Sequence, residues 1–229
     1  MKISDLSRVE YRKINRKDHD VIRDLIFDVY GDTWEYKSEP KQDSSVPGRK
    51  YEASKMPKIM SGLYLDCLLG ESEYIQTAYY REELVGVVFA ANRKKAGMTG
   101  GIKSAASKLR LKQSAEGKRN LRYMQTLAGL QKQLADGTEE SADCLILFLT
   151  VRKRYRRNGI GRQLLENLYE DFKQRGKEKI YLQADLRSNH DFLKKHGFTA
   201  ASVKEEMVEH KNRRYREQLV LYKKEKETV

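Results

Sequence analysis

The sequence predicts an α/β fold in which helices cover a central sheet, and two observations carry that prediction. First, the run Cys144–Val151 is apolar on both faces, as in a strand that lies inside a sheet with helices on each side. Second, this run is followed by a glycine-rich turn, an amphipathic helix and another strand-like run, which together predict a β-turn-α-β unit with a right-handed crossover. The 229 residues suffice for one such domain with an insertion.

Periodicity assigns the elements before residue 92. Apolar residues recur at helical spacing after Asn15 and Asp18, either of which can cap the helix. The stretch that follows is polar and contains two prolines, so we expect a loop in which only Trp34 and Tyr36 offer apolar contact. Two β-rich runs separated by a short polar turn predict an antiparallel hairpin. The expected order is a strand over 8–14, a helix over 16–30, a loop over 31–50, a helix over 54–69 that Pro57 interrupts, and strands over 74–80 and 84–91.

The excess of basic residues is concentrated in residues 93–137, which we call the basic segment. The formal net charge of the chain is +13, and the stretch from Arg93 to Lys132 holds eleven lysines and arginines against Glu116, a local charge of +10. Apolar residues at helical spacing on either side of Gly117 predict two amphipathic helices. We therefore expect a helical insertion whose charged face is either solvated or bound to an anionic partner, a membrane surface or nucleic acid. The two apolar stripes are Ile102, Ala105, Ala106 and Leu109, then Leu121, Met124, Leu127, Leu130 and Leu134, with Gly137 after them.

The C-terminal part continues with helices and strands. An apolar stripe after Gly161 predicts a helix that packs on the sheet, and Arg175-Gly176-Lys177 is a suitable end for it. A short helix is expected to begin at Asn189 and to end at Gly197. The strands are expected over 179–184, 198–203 and 215–222, and the helical stripe is Leu164, Leu165, Leu168, Tyr169 and Phe172.

Composition and patterning argue against several classes of protein. The N-terminus lacks the apolar core of a signal peptide, and no apolar stretch approaches the roughly 20 residues that a spanning helix needs, so we expect a cytoplasmic protein. Both cysteines, Cys67 and Cys144, lie among apolar residues, which favours reduced core thiols over a disulfide or a catalytic role. The histidines do not stand at zinc-ligand spacings, so no metal site is expected.

The turn after the central strand is the clearest functional signal. The chain reads R-K-R-Y-R-R-N-G-I-G and then enters a helix, so backbone N–H groups, a helix N-terminus and basic side chains converge there. A dinucleotide fingerprint would need a third glycine where Leu164 stands, and the chain contains no G-x-x-x-x-G-K-[ST], so neither common nucleotide motif is present. On these residues alone the turn is either a phosphate cradle or a tight connection with solvated arginines.

The stretch Arg156–Gly161 resembles the R/Q-x-x-G-x-G/A signature of the GNAT superfamily of N-acetyltransferases. In that family the signature follows a central strand and precedes a long helix, a strand, and an asparagine ahead of a short helix that ends in glycine-phenylalanine. Here those positions are Asn189 and Gly197-Phe198. The resemblance covers nearly the whole chain apart from the basic segment. It implies a single domain over 1–229 with a mixed, mostly antiparallel sheet flanked by helices, and the basic helical insertion between strands 3 and 4.

The resemblance implies a site for acetyl-coenzyme A as co-substrate, without a metal. Backbone groups at the end of the central strand would align the pantetheine arm, N–H groups of the turn would hold the pyrophosphate, and Arg156 and Arg162 would add charge. The implied reaction is direct attack of a neutral primary amine on the thioester, whose carbonyl is polarised by a strand N–H near Val151. The implied cofactor-binding residues are Leu149, Thr150, Val151, Arg156, Arg157, Asn158, Gly159, Ile160, Gly161, Arg162 and Asn189.

One departure from the family concerns the general acid. Many members carry a tyrosine four residues before the final glycine, and this chain has Leu193 there. Three explanations stay open: water or the coenzyme A thiolate suffices, His190 or Tyr181 substitutes, or the protein binds the cofactor with little catalysis. Asp185, at the end of its strand, is a candidate for orienting the loop or for accepting a proton from the substrate ammonium.

The implied function is N-acetyl transfer to a small-molecule or peptide amine. The alternative is a catalytically weak or inactive module of the same fold that binds acyl-coenzyme A, or an anionic partner through the basic segment. Trp34 and Tyr36 lie in the connection that borders the acceptor site in similar proteins, and they are specificity candidates. The acceptor itself stays open, because variable loops form its pocket and carry no transferable motif. The oligomeric state, a homodimer included, stays open as well.

Overall fold

A computed structural model of the chain describes residues 3, 6–34, 55–92, 109, 111–135, 142–210 and 213–224. The strands are β1 (Val9–Lys13), β2 (Tyr74–Tyr80), β3 (Glu83–Asn92), β4 (Cys144–Val151), β5 (Ile180–Asp185), β6 (Thr199–His210) and β7 (Arg213–Lys224). The helices are α1 (His19–Trp34), α2 (Met56–Glu71), α3 (Ala115–Ala135), α4 (Ile160–Gln174) and α5 (His190–Lys195). The described strands form one sheet in the order β1-β2-β3-β4-β5-β7-β6, in which only the β4–β5 pair is parallel. The predicted mixed, mostly antiparallel sheet is confirmed.

The starts of α1 and α2 follow local capping chemistry. Before α1, the Asn15 side chain accepts a hydrogen bond from the backbone N–H of Lys17, and the Asp18 side chain accepts one from the Asn15 N–H, which forms a capping box. Pro57 does not interrupt α2. It stands in the first turn, where a missing N–H leaves no helical hydrogen bond unmade.

Helix α1 is longer than its periodicity predicts. The expected loop begins at residue 31, whereas the helix continues to Trp34, which is only 2% exposed. The reason is aromatic packing: the Trp34 ring lies 5.5 Å from Tyr30, one helical turn earlier, and 6.1 Å from Tyr64 on α2. Tyr36 lies outside the described residues.

The unit β4-α4-β5 matches its prediction closely. The strand bounds of β4 are those expected, and the apolar stripe of α4 is buried against the sheet except for the half-buried Tyr169. The two cysteines are free thiols, and burial raises the pKa of Cys144. None of the described helices is both long and apolar enough to cross a membrane.

Strand β6 extends well beyond the predicted end at residue 203. Residues 204–207 of its continuation are exposed and all but Met207 are polar, so the continuation lacks the apolar alternation that predicts a half-buried strand, although Val208 is buried. What extends it is pairing with β7 along a two-stranded ribbon, where Arg216 forms a 2.8 Å ion pair with Glu205.

Helix α3 contains most of the described part of the basic segment. Its predicted stripe faces the protein, with Leu121, Leu130 and Leu134 buried, and the Asn120 amide donates a 3.4 Å hydrogen bond to the carbonyl of Trp34. The helix lies between β3 and β4 in the chain and contacts β6 and β7. Most of the first predicted helix, over 102–109, and Gly137 lie outside the described residues.

The N-terminus of α3 gives a stability prediction. A Cβ added at Gly117 would lie 2.1 Å from the carbonyl oxygen of Leu111, so the backbone must move to accept it. We expect Gly117→Ala to lower the free energy of unfolding by about 1–3 kcal/mol. The matched change Gly129→Ala, on the same helix with no atom within 4 Å, is expected to raise it by up to about 1 kcal/mol. Denaturant unfolding measures both, and equal effects would contradict the close approach.

Candidate active site

Strands β4 and β5 pair only at their N-terminal ends. The parallel register runs from Cys144 opposite Ile180 to Ile146 opposite Leu182 and then stops, while β4 stays paired with β3 as far as Val151. The edge of β4 beyond Ile146 therefore borders a gap in the sheet. A cavity of about 620 Å³, the donor cavity, lies along this gap and is lined by both strands and by the turn that enters α4.

The residues that the sequence assigns to cofactor binding meet at the donor cavity. All of them except Asn158 line it, and so does Asp185. The Asn158 side chain shapes the turn instead, because its oxygen accepts a 2.8 Å hydrogen bond from the Ile3 N–H and its amide donates to the carbonyl of Tyr155 at 3.0 Å. Residues from the end of β4, the turn, the start of α4 and the start of α5 thus meet at one cavity.

The backbone of the turn exposes the first N–H groups of α4. Gly159 is the N-cap residue at φ 78°, a left-handed conformation that glycine adopts without strain, and no side chain caps the helix there. Arg157 is also left-handed, at φ 63°. The uncapped N–H groups, together with the helix dipole, favour an anion at this end of the donor cavity.

The basic residues of the turn divide into two groups. Arg152 and Arg154 form ion pairs with Glu83, which the Tyr155 hydroxyl also contacts. Although partial desolvation opposes it, the hydrogen bond from Arg154 lowers the pKa of Glu83, so this carboxylate anchors the turn in its charged form. The other group, Arg156, Arg157 and Arg162, lines the donor cavity, to which Arg187 in the turn after β5 adds a further positive charge.

Asp185 is held by hydrogen bonds that order the turn after β5. Its carboxylate accepts from the Arg187 N–H at 3.0 Å, from the Arg187 guanidinium at 3.0 Å and from the Ser188 hydroxyl at 2.9 Å. Of the two roles considered for Asp185, this geometry supports the orientation of the loop.

His190 and Tyr181 do not line the donor cavity. The Nε2 of His190 lies 3.0 Å from the carbonyl of Asp185, which can only accept, so Nε2 carries the proton and Nδ1 accepts from the Tyr222 hydroxyl at 2.9 Å. Tyr181 is buried in a separate cluster with Leu219 and Leu221. Neither residue is brought to the place where a general acid would act.

Leu193 and His196 are the α5 residues of interest at the donor cavity. Leu193 lines it while packing in the main core at 4% exposure, and it has no proton to donate. His196, which the sequence reasoning did not select, also lines it, and its ring lies 4.4 Å from that of Phe192. Desolvation, and then the charges of Arg162 and Lys224, lower the pKa of His196. A histidine beside a helix-ending glycine carries no sequence signal that distinguishes it from a surface residue.

A second cavity of about 150 Å³, the rear cavity, adjoins the donor cavity. The two share Tyr30, Ile146 and Gln183 in their walls. Glu217 on β7 lines the rear cavity at 4% exposure and accepts a 3.3 Å hydrogen bond from the Tyr123 hydroxyl of α3. Burial raises the pKa of Glu217. Among the described residues, no group of His, Cys, Asp and Glu side chains could hold a metal ion.

Comparison with known proteins adds a family and a set of similar folds. The model of the Acetyltransferase (GNAT) family matches residues 27–198. No curated protein matches the chain in sequence. Similar solved structures include a polyamine N-acetyltransferase of Drosophila melanogaster (13% identity, TM-score 0.58, 95% of this chain and 100% of that one). A second is arylalkylamine N-acetyltransferase 2 of Aedes aegypti (14% identity, TM-score 0.57, 95% of this chain and 98% of that one). A third is Naa50 of Arabidopsis thaliana in complex with a bisubstrate analogue (17% identity, TM-score 0.50, 96% of this chain and 99% of that one).

Proposed function

The chain belongs to the acetyltransferase (GNAT) family, and on this premise we propose that it transfers the acetyl group of acetyl-coenzyme A to a primary amine. The observation that carries the proposal is the donor cavity in the sheet gap, with the uncapped N-terminus of α4 and four arginines on its wall. An amine acceptor is supported by similar folds that are named as a polyamine and an arylalkylamine N-acetyltransferase, and by one in complex with the bisubstrate analogue CoA-Ac-MVNAL.

Each part of the donor cavity has a role in this proposal. The N–H groups that follow Gly159 hold the pyrophosphate, and Arg156, Arg157 and Arg162 balance its charge. The unpaired edge of β4 accepts the pantetheine arm as an added strand would, which holds the thioester near Val151. A strand N–H there polarises the carbonyl while a neutral amine attacks, and positioning lowers the barrier further.

The route of proton transfer in this proposal depends on the leucine at position 193. No hydroxyl stands at that position, so solvent in the donor cavity accepts the proton that the amine nitrogen loses as the amide forms, and solvent also protonates the departing thiolate. Asp185 keeps the β5-α5 turn in place. Asn189 caps α5 through a 3.0 Å hydrogen bond from the Phe192 N–H, which fixes that helix against the thioester. Catalysis then depends on positioning and polarisation.

An acetylation assay tests the proposal. We expect purified protein, acetyl-coenzyme A and a panel of primary amines to release the coenzyme A thiol and to yield an amine one acetyl group heavier by mass spectrometry. Reactions without amine control for thioester hydrolysis. Binding of acetyl-coenzyme A with no acetylated product from any amine class would contradict the proposal and favour the binding-only module.

A further inference from the structure

We propose that helix α3 completes an acceptor pocket in the rear cavity, and that this pocket selects a compact primary amine with a single-ring or similarly sized apolar body. The inference rests on the proposed acetyl transfer and names its substrate class. It also gives the described part of the basic segment a role, because the apolar face of α3 forms one wall of the pocket.

The size of the rear cavity limits the acceptor. A volume of about 150 Å³ is that of an apolar cavity able to hold one benzene ring. The walls from α1 and α2 are aromatic, with the Tyr30 ring 5.5 Å from Trp34 and 5.4 Å from Tyr64. Burial raises the pKa of Tyr30, and that of Tyr64 to about 12, so both phenols stay neutral in the wall of the pocket.

Helix α3 supplies the opposite wall. Met124, Leu127 and Ala128 line the rear cavity from one face of the helix. Two contacts hold that face in place: Asn120 donates to the carbonyl of Trp34 at 3.4 Å, and Tyr123 donates to Glu217 at 3.3 Å. Because α3 is held at both α1 and β7, this wall keeps the volume of the pocket at about 150 Å³.

The charges in the pocket favour an ammonium group. Glu71, Asp185 and Glu217 line it against one cation, Arg187, among the described lining residues. Arg187 forms a 3.0 Å ion pair with Asp185. The formal charge of the described lining is therefore negative. Burial favours the neutral form of Glu217 and the nearby Arg187 favours its charged form, and an ammonium group bound beside Glu217 would add to the effect of Arg187. The aromatic lining is compatible with a cation as well, because the Arg187 guanidinium already lies 5.8 Å from the centre of the Tyr30 ring.

The pocket leads to the proposed thioester position. Its shared wall with the donor cavity lies where β4–β5 pairing stops, at Ile146 opposite Leu182. Gln183 stands in this wall, and among the described residues its buried side-chain Nε2 has no hydrogen-bond partner. A ligand oxygen or nitrogen at the junction would satisfy this donor. An amine bound with its body toward α3 thus points toward the gap.

The test compares three acceptors and two matched pairs of variants. We expect the wild type to acetylate benzylamine with a kcat/KM at least tenfold above that for spermidine or for a free tetrapeptide N-terminus. Ala128→Phe, which fills the pocket, is expected to raise the KM for benzylamine at least tenfold, whereas Gln133→Phe on an exposed position of α3 leaves it unchanged. Glu217→Gln is expected to raise the same KM about tenfold, and Glu206→Gln on the exposed face of β6 is its control.

A widening variant and a binding measurement make the outcomes distinct. Leu127→Ala is expected to admit the two-ring amine tryptamine, a gain that misfolding cannot produce. In every variant the Kd for acetyl-coenzyme A is expected to stay within twofold of the wild type. Two results would contradict the acceptor pocket but not the proposed acetyl transfer, provided that acetyl-coenzyme A still binds. One is a preference for spermidine or the peptide, and the other is an unchanged KM for benzylamine in Ala128→Phe. Failure of the wild type to bind acetyl-coenzyme A would overturn the proposed function beneath it.

Discussion

Replacing Arg156 and Arg157 together by glutamate is expected to weaken the binding of acetyl-coenzyme A at least 100-fold. Both residues line the donor cavity beside the uncapped N-terminus of α4. A hydrogen bond to a charged group contributes about 1.5–3 kcal/mol, so loss of two such contacts costs at least about 3 kcal/mol. That free energy corresponds to roughly 100-fold in Kd, and charge repulsion adds to it. Isothermal titration calorimetry measures the change.

A second pair at the far end of the same helix separates the site from net charge. Lys173→Glu with Arg175→Glu makes the same change in charge at exposed positions of the α4 C-terminus. We expect the Kd for acetyl-coenzyme A to change by less than about twofold, since exposed charges beyond a Debye length are largely screened. Equal losses in the two double variants would show that overall charge, and not the turn, governs binding.

Phe172→Ala is expected to lower the free energy of unfolding by about 3–5 kcal/mol, the usual range for a buried phenylalanine. Phe172 is 1% exposed on the face of α4 that covers the sheet, and its ring lies 5.8 Å from that of Tyr74 on β2. The side chain cannot be removed without leaving a cavity between α4 and the sheet. Guanidinium or urea unfolding followed by circular dichroism gives the difference.

Phe27→Ala is the matched control for this change. Phe27 is 40% exposed on α1, so the same truncation removes far less buried area and is expected to cost less than about 1 kcal/mol. Similar losses in both variants would contradict the burial that anchors α4. We expect a large loss of unfolding free energy in Phe172→Ala and not in Phe27→Ala. If acetyl-coenzyme A also raises the unfolding midpoint of Phe172→Ala, its binding stabilises the site that α4 supports.

The donor cavity could be predicted because most of the residues that form it lie close together in the sequence. One apolar run, one glycine-rich turn and one amphipathic stripe lie consecutively from Cys144 to Gln174, and the structure places them as β4, the turn and α4. The distant Asn189 joins them through its position at the start of α5. Asn158 is the exception, since its side chain bonds the chain near Ile3. A contact between residues so far apart has no local signal.

The rear cavity could not be predicted, because its walls come from α1, α2, α3, β4, β5 and β7. Glu217 occurs in an alternating strand, where a carboxylate is normally read as solvent-facing, yet α3 buries it. Trp34 was expected in a loop, and its aromatic neighbours on α1 and α2 hold it in a helix. In both cases tertiary packing overrides a local pattern that is ambiguous by itself.

The long β6–β7 ribbon illustrates a different limit. Periodicity detects a strand when one face is buried, and residues 204–207 of β6 are all exposed, so this part of the ribbon carries no period of two. Cross-strand pairs such as Arg216 with Glu205 stabilise it instead. Such pairs are visible only once the register is known.

Titration of the wild-type protein with acetyl-coenzyme A tests the central claim most directly. The donor cavity in the sheet gap predicts saturable binding of about one acetyl-coenzyme A per chain, with competition by coenzyme A and with loss of affinity in the Arg156→Glu, Arg157→Glu variant. Absence of binding up to about 1 mM acetyl-coenzyme A, which means a binding free energy less favourable than about −4 kcal/mol, would contradict the claim.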